Sequence, residues 1–373
     1  MNRDHHWEME RRANGINRLL KKAGRPVKLM EVCGTHTVAI FRHGIRGLFP
    51  GISFLSGPGC PVCVTSKRDI DCSILIAREP GVTLLTFGDM MRVPGALGSL
   101  NRARADGADV KVVYSPLDAV AAAEKQRDRK FVFFATGFET TIPLVAAALD
   151  MAHSLGLDNF FVYSVHKLVP PALRALLSAP DARVSLDGFI LPGHVSAIIG
   201  PRPYGFLAEE FHIPAVVTGF EADEIMEGTL MLLEQIESGS ARVEVAYKKV
   251  VRDAGNQTAL SLMDRYFEHC DAEWRGIGMI PASGLRLKEQ WAAMDAERVF
   301  KPHPPVSHEV SPGDGGCSCG DVLRGLKLPV DCRLFGSGCT PDHPVGACMV
   351  STEGSCAAYF KYGPFIKRQT SGQ

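Results

Sequence analysis

The chain has 373 residues, 46% hydrophobic and 22% charged, with 41 Lys+Arg against 41 Asp+Glu and a formal net charge of zero. That is enough for two or three packed domains, and the balanced charge gives neither a basic footprint for nucleic acid nor a polybasic membrane anchor. The opening MNRDHHWEMERR lacks the apolar core of a secretory signal, and no apolar run approaches the ~18 residues of a bilayer span, so the chain reads as cytoplasmic. In that reducing compartment an odd count of 11 cysteines points to metal ligation or redox chemistry rather than to a disulfide framework.

Trp7, Ala13, Ile16, Leu19 and Leu20 recur at helical spacing opposite a charged face, which predicts a packing helix over residues 7–22. Short, nearly continuous apolar runs follow at 27–32, 52–55, 82–87 and 110–114, as expected of parallel strands covered on both faces. Stretches such as 67–78 and 117–126 between them read as crossover helices, giving a first α/β domain over residues 24–127. After the charged stretch 125–130 the rhythm resumes, with strands at 131–135, 160–164, 188–191 and 215–218, giving a second, similar domain over 128–239. From Ser240 the pattern breaks, Pro and Gly crowd residues 301–316, and a cysteine-rich tail follows. The expected third unit is residues 240–373, organised by a metal and joined by the N-terminal helix.

Ligands of parallel sheets lie beyond the carboxyl ends of the strands, so the turns there carry the chemistry. In the first half they read Cys33-Gly-Thr-His-Thr37, Gly57-Pro-Gly-Cys-Pro-Val-Cys63 and Gly88-Asp-Met-Met-Arg-Val-Pro-Gly95. In the second they read Thr136-Gly-Phe-Glu-Thr-Thr141, His166-Lys167, Pro192-Gly-His-Val-Ser196 and Thr218-Gly-Phe-Glu221. None is a phosphate-binding P-loop or a dinucleotide fingerprint, no C-x3-C-x2-C radical motif occurs, and no nucleophile elbow accompanies His194.

The tail cysteines Cys332, Cys339, Cys348 and Cys356 are spaced C-x6-C-x8-C-x7-C. Zn sites bring ligands in close pairs, whereas an iron–sulfur cluster accepts wider loops, so the spacing leans toward a 4Fe-4S cluster over a Zn knot or scattered thiols. Cys317 and Cys319, one residue apart, are secondary candidates. Cys60 and Cys63 form a C-x-x-C at the start of a helix, which favours a redox pair over half of a Zn site, since no second C-x-x-C exists to complete one. Cys33 at a strand end is either a reactive thiolate or a small buried hydrophobe. His36 and His194 divide in the same way between ligand and core polar group. Cys72 and Cys270 are expected to pack within helices.

Together Glu31-Val-Cys-Gly-Thr-His-Thr37, Gly57-Pro-Gly-Cys-Pro-Val-Cys63, Thr136-Gly-Phe-Glu-Thr-Thr141, Pro192-Gly-His-Val-Ser196 and the tail from Cys332 to Cys356 resemble the HypD family of hydrogenase maturation factors. The resemblance implies two Rossmann-like α/β domains and a C-terminal iron–sulfur domain around a cleft. It also implies a redox scaffold on which the Fe(CN)2CO unit of NiFe hydrogenases is assembled with a HypC-type small chaperone and HypE. By motif, Cys332, Cys339, Cys348 and Cys356 would hold a 4Fe-4S cluster, Cys33 would bind the iron being assembled, and Cys60 with Cys63 would be the thiol pair beside it. His194 would line the cleft as a further candidate ligand. From the residues alone two rivals stand: a thiol-disulfide oxidoreductase using Cys60 and Cys63 with a structural Zn tail, and a Zn-stapled adaptor.

Overall fold

The computed structural model describes residues 3–179, 185–305 and 316–363. Among the described residues nine strands form two wholly parallel sheets. β1 (Val27–Glu31), β2 (Ile52–Ser56), β7 (Gly188–Pro192), β8 (Ala215–Thr218) and β9 (Val243–Val245) make the first, in the order β2-β1-β7-β8-β9. β3 (Val82–Thr86), β4 (Val110–Val112), β5 (Lys130–Ala135) and β6 (Phe160–Ser164) make the second, in the order β4-β3-β5-β6. Helices such as Lys67–Ala77, Pro116–Lys125 and Ile142–Ser154 connect the strands. Strands with two buried faces, such as Val82–Thr86 and Gly188–Pro192, explain the unbroken apolar runs in the sequence.

Two α/β units with parallel sheets are present as expected, but they are not consecutive in the chain. The chain lays down β1 and β2, leaves to build the whole second sheet, and returns to add β7, β8 and β9 beside β1. The division into 24–127 and 128–239 is therefore corrected: residues 82–164 supply every strand of one sheet, and the flanking segments supply the other. β1 pairs with β7 through Leu29↔Gly188 to Glu31↔Ile190, and Val32 N–H donates to Ile190 C=O at 3.2 Å.

The N-terminal helix Arg3–Ala23 is also placed differently. It docks on helix Ala222–Ser238 of the first unit, burying Ile16 and Leu19 with Val27, Leu29 and Ile225, and Arg12 pairs with Glu227 at 2.6 Å. Its apolar stripe needed a cover, and this helix face supplied one, so it does not join the cysteine-rich tail.

Residues 257–300 serve the second unit. Helix Gln257–Tyr266 and the antiparallel hairpin β10 (Phe267–Trp274) and β11 (Gly278–Leu287) bury Met263, Tyr266, Phe267, Leu285 and Leu287 against it. Cys270 accordingly lies half-buried on a strand rather than in a helix, while Cys72 is buried in helix Lys67–Ala77 as expected. The hairpin also reaches the first unit, since Arg275 N–H donates to Val64 C=O at 2.9 Å and the fully buried Trp274 shares a core with Cys63 and Val64. Of the Pro- and Gly-rich stretch 301–316, residues 306–315 lie outside the described residues. Helices Cys319–Leu323, Ala347–Val350 and Ser355–Tyr362 carry the tail, which packs on helix Gly34–Arg42 through an edge contact of Phe41 with Tyr359 at 4.6 Å. Among the described residues no helix is long and apolar enough to cross a membrane.

Candidate thiol and iron site

Strand order dictates the site. In a parallel sheet ordered β2-β1-β7-β8, the turns after those strands stand side by side on one edge. They carry, in that order, Cys60 and Cys63, then Cys33 with His36, then His194, then Phe220. Four motifs far apart in the chain thus become neighbours.

Cys33 is the N-cap of helix Gly34–Arg42 and is half-buried. Two glycines let other backbone come against it. A Cβ on Gly59 would overlap the Cys33 amide and the Val32 carbonyl, and one on Gly34 would overlap the Glu353 backbone carbonyl. Gly34 N–H donates to Gly59 C=O at 3.1 Å, and Thr35 Oγ1 donates to Glu353 Oε1 at 2.9 Å. The tail loop and the C-x-x-C turn therefore both close on Cys33. Glu31 braces the turn from below: Oε2 accepts the Cys33 N–H at 3.1 Å and Oε1 accepts the Thr37 hydroxyl. Burial raises the Glu31 carboxyl to about 7. A thiol at a helix N-terminus is ordinarily acidified, but here burial, with the Glu353 and Glu31 carboxylates adding to it, pushes Cys33 up to about 12. At neutral pH Cys33 is therefore a thiol, and any metal it bound would have to displace its proton.

Cys60 caps the short helix Pro61–Val64, its sulfur accepting the Cys63 N–H at 3.3 Å. The two cysteines are joined as a disulfide, with Cα atoms 5.3 Å apart. Both are buried, at 4% and 1% exposure. Cys63 Sγ lies 4.0 Å from the carbonyl oxygen of Ala347, the residue before Cys348.

The tail draws its sulfur together in turn. Cys348, fully buried, has its thiol within hydrogen-bonding reach of Cys319 and Cys356, and the Cys319 and Cys348 S–H groups hold the Cys356 thiol below its ordinary value. The thiols of Cys317 and Cys319 lie over Gly346, and Cys339 accepts the Val345 N–H at 3.3 Å while feeling Cys317 and Cys319. Cys332 stands at the rim, 3.8 Å from the Gly316 carbonyl and so beside Cys317 in the chain. All six cysteines lie in this one segment. Cys317 and Cys319, ranked second by spacing, belong beside the quartet; their density alone signalled it.

Among the described residues no three His, Cys, Asp or Glu side chains are set to hold a single metal ion. A cubane asks for something else, one thiolate on each of four separated irons, and an all-sulfur set without carboxylates matches that demand.

The histidines separate. His194 is exposed and stacks on Phe220, ring centroids 4.0 Å apart. His36 is fully buried and stacks on the same ring at 4.5 Å. Its Nε2 lies 2.8 Å from the Gly219 carbonyl and 2.8 Å from Thr218 Oγ1. Glu31, Phe220, Glu139 and Glu353 were not singled out in the sequence, although Phe220 and Glu139 stand in turn motifs and Glu31 ends the strand before one; Glu353 belongs to the tail, which the cysteines dominate.

The HypD family model, described as "Hydrogenase formation hypA family", matches residues 8–363. Hydrogenase maturation factor HypD of Rhodobacter capsulatus is 49% identical over 343 residues, covering 91% of this chain and 90% of its own. The HypD of Rhizobium leguminosarum bv. viciae is 46% identical over 356 residues, with 94% and 91% covered. That of Escherichia coli (strain K12) is 45% identical over 342 residues, with 91% and 90% covered.

Proposed function

The chain belongs to the HypD family of hydrogenase maturation factors, and we propose that within maturation it is the redox scaffold on which the Fe(CN)2CO unit is assembled. A HypC-type chaperone would share the iron, and HypE would deliver cyanide. The observation that carries this reading is the line of sulfur: Cys33 against Gly59, then Cys60 and Cys63, then Ala347 leading into Cys348.

Along that line each residue has a task. Cys33 grips the iron cargo as a thiolate, its proton leaving to solvent, because electron-rich iron prefers a soft ligand. The Cys60–Cys63 disulfide takes up two electrons and two protons to become two thiols, and returns them on reoxidation. In the tail, Cys332, Cys339, Cys348 and Cys356 would hold a 4Fe-4S cluster, with Cys317 and Cys319 packed beside them. Such a cluster supplies electrons one at a time. Burial of Cys60 and Cys63 argues against the rival oxidoreductase reading, since a protein substrate's thiol has no approach to a pair 4% and 1% exposed.

The test is Cys33→Ala in the full chain, purified without oxygen together with the small chaperone. The cyanide and CO infrared bands should vanish while the visible absorbance of the tail persists. Loss of both together contradicts separate sites.

A further inference from the structure

A histidine that merely fills a core finds partners for both ring nitrogens, because an unmet buried polar atom costs free energy. His36 does not. It is 0% exposed, and a carbonyl can only accept, so the 2.8 Å contact with Gly219 makes Nε2 the protonated nitrogen. Nδ1 is then a bare lone pair, buried and without a protein partner. Burial also keeps the ring neutral, lowering it to about 4.

A ring donating one N–H to a backbone carbonyl while the other nitrogen waits is the arrangement in which imidazole ligates metals, since the carbonyl fixes tautomer and orientation. Helix position relates the ring to Cys33. Cys33 is the N-cap and His36 the third residue of Gly34–Arg42, about one helical turn apart. Helical side chains lean toward the N-terminus, and Nδ1 is the ring nitrogen nearer the backbone. The imidazole and the thiol thus leave the same first turn, and the unpartnered nitrogen is buried there. Phe220, stacked on the ring, holds that orientation.

We propose that His36, through Nδ1, is a second protein ligand to the iron held by Cys33, making this chain's share of the cargo site one thiolate and one imidazole. The inference rests on the scaffold reading. It moves the histidine role away from His194, which is exposed on the same aromatic ring. Two protein ligands leave the remaining positions of a divalent iron for cyanide, CO and a ligand from a partner. The competing occupant of Nδ1 is an internal water.

The decisive variant is His36→Gln, whose amide nitrogen can still donate to Gly219 but which has no group at Nδ1. With the full chain co-purified anaerobically with the small chaperone, iron beyond that of the tail should fall at least ~10-fold, with residual cyanide and CO bands shifted and tail absorbance unchanged. His36→Gly, unloaded alone, should regain iron and bands when imidazole is supplied. The proposal is overturned if His36→Gln keeps wild-type iron and band frequencies, as a water on Nδ1 would allow. It is equally overturned if imidazole fails to restore His36→Gly, since the role is then only structural. Failure of the scaffold reading looks different: wild type and Cys33→Ala would carry the same bands, or none.

Discussion

Glu139, in the turn after β5, is 2% exposed; Oε1 accepts the Val169 N–H at 2.9 Å, and Oε2 has no partner. Burial raises this carboxyl from 4.5 to about 7. Between those values the folded chain keeps a proton that the unfolded chain has released, so stability falls as pH rises through this window and levels off above it. At ~1.4 kcal/mol per unit the full loss is about 3 kcal/mol. Glu139→Gln copies the shape of the protonated acid and never ionises. The variant should match wild type near pH 4.5 and exceed it by about 2–3 kcal/mol at pH 8. Anaerobic urea unfolding midpoints across that range measure the difference, and the infrared band of the protonated carboxyl, present in wild type and missing in the variant, reports the titration directly. Parallel pH dependences for the two proteins, or a carboxyl band lost near 4.5, would refute the argument.

Gly59→Ala forces a Cβ into the Cys33 amide and should cost about 1–3 kcal/mol or more of stability. It should also part the C-x-x-C turn from Cys33, so cyanide and CO bands weaken while tail iron, measured on the same sample, is retained. Ile16→Ala on the N-terminal helix should cost about 2–5 kcal/mol in thermal or urea unfolding without altering tail absorbance, because Ile16 packs with the first sheet and not with the cysteines.

Eight of the nine parallel strands were legible because each is an apolar run with two covered faces, and the post-strand turns then fell into place. β9 was missed because Val243–Val245 is short and only half-buried. What a run of Val, Ile and Phe does not encode is its neighbour. Any such strand can flank any other, so the return of β7 to β1, and with it the interleaving of the two units, could not be read from order along the chain. Cys270 illustrates a second limit, since the hairpin that holds it is irregular, with a register shift between Cys270 and Ala272 that spoils its alternation.

The two TGFE repeats show why a motif fixes position before it fixes role. Both follow a strand, β5 in one sheet and β8 in the other, and both were placed correctly. Phe138 of the first is buried with Cys60, Cys63 and Trp274, and Glu139 is sealed inside. Phe220 of the second lies between the aromatic rings of His36 and His194, and Glu221 is exposed at the start of helix Ala222–Ser238. The same four letters therefore serve a core in one sheet and a histidine platform in the other, and the difference is made by strand order. Only where β1, β7 and β8 are adjacent can a ring after β8 reach histidines after β1 and β7. His36 and His194 looked equivalent in sequence because both follow strands; sheet packing buried one and left the other at the surface.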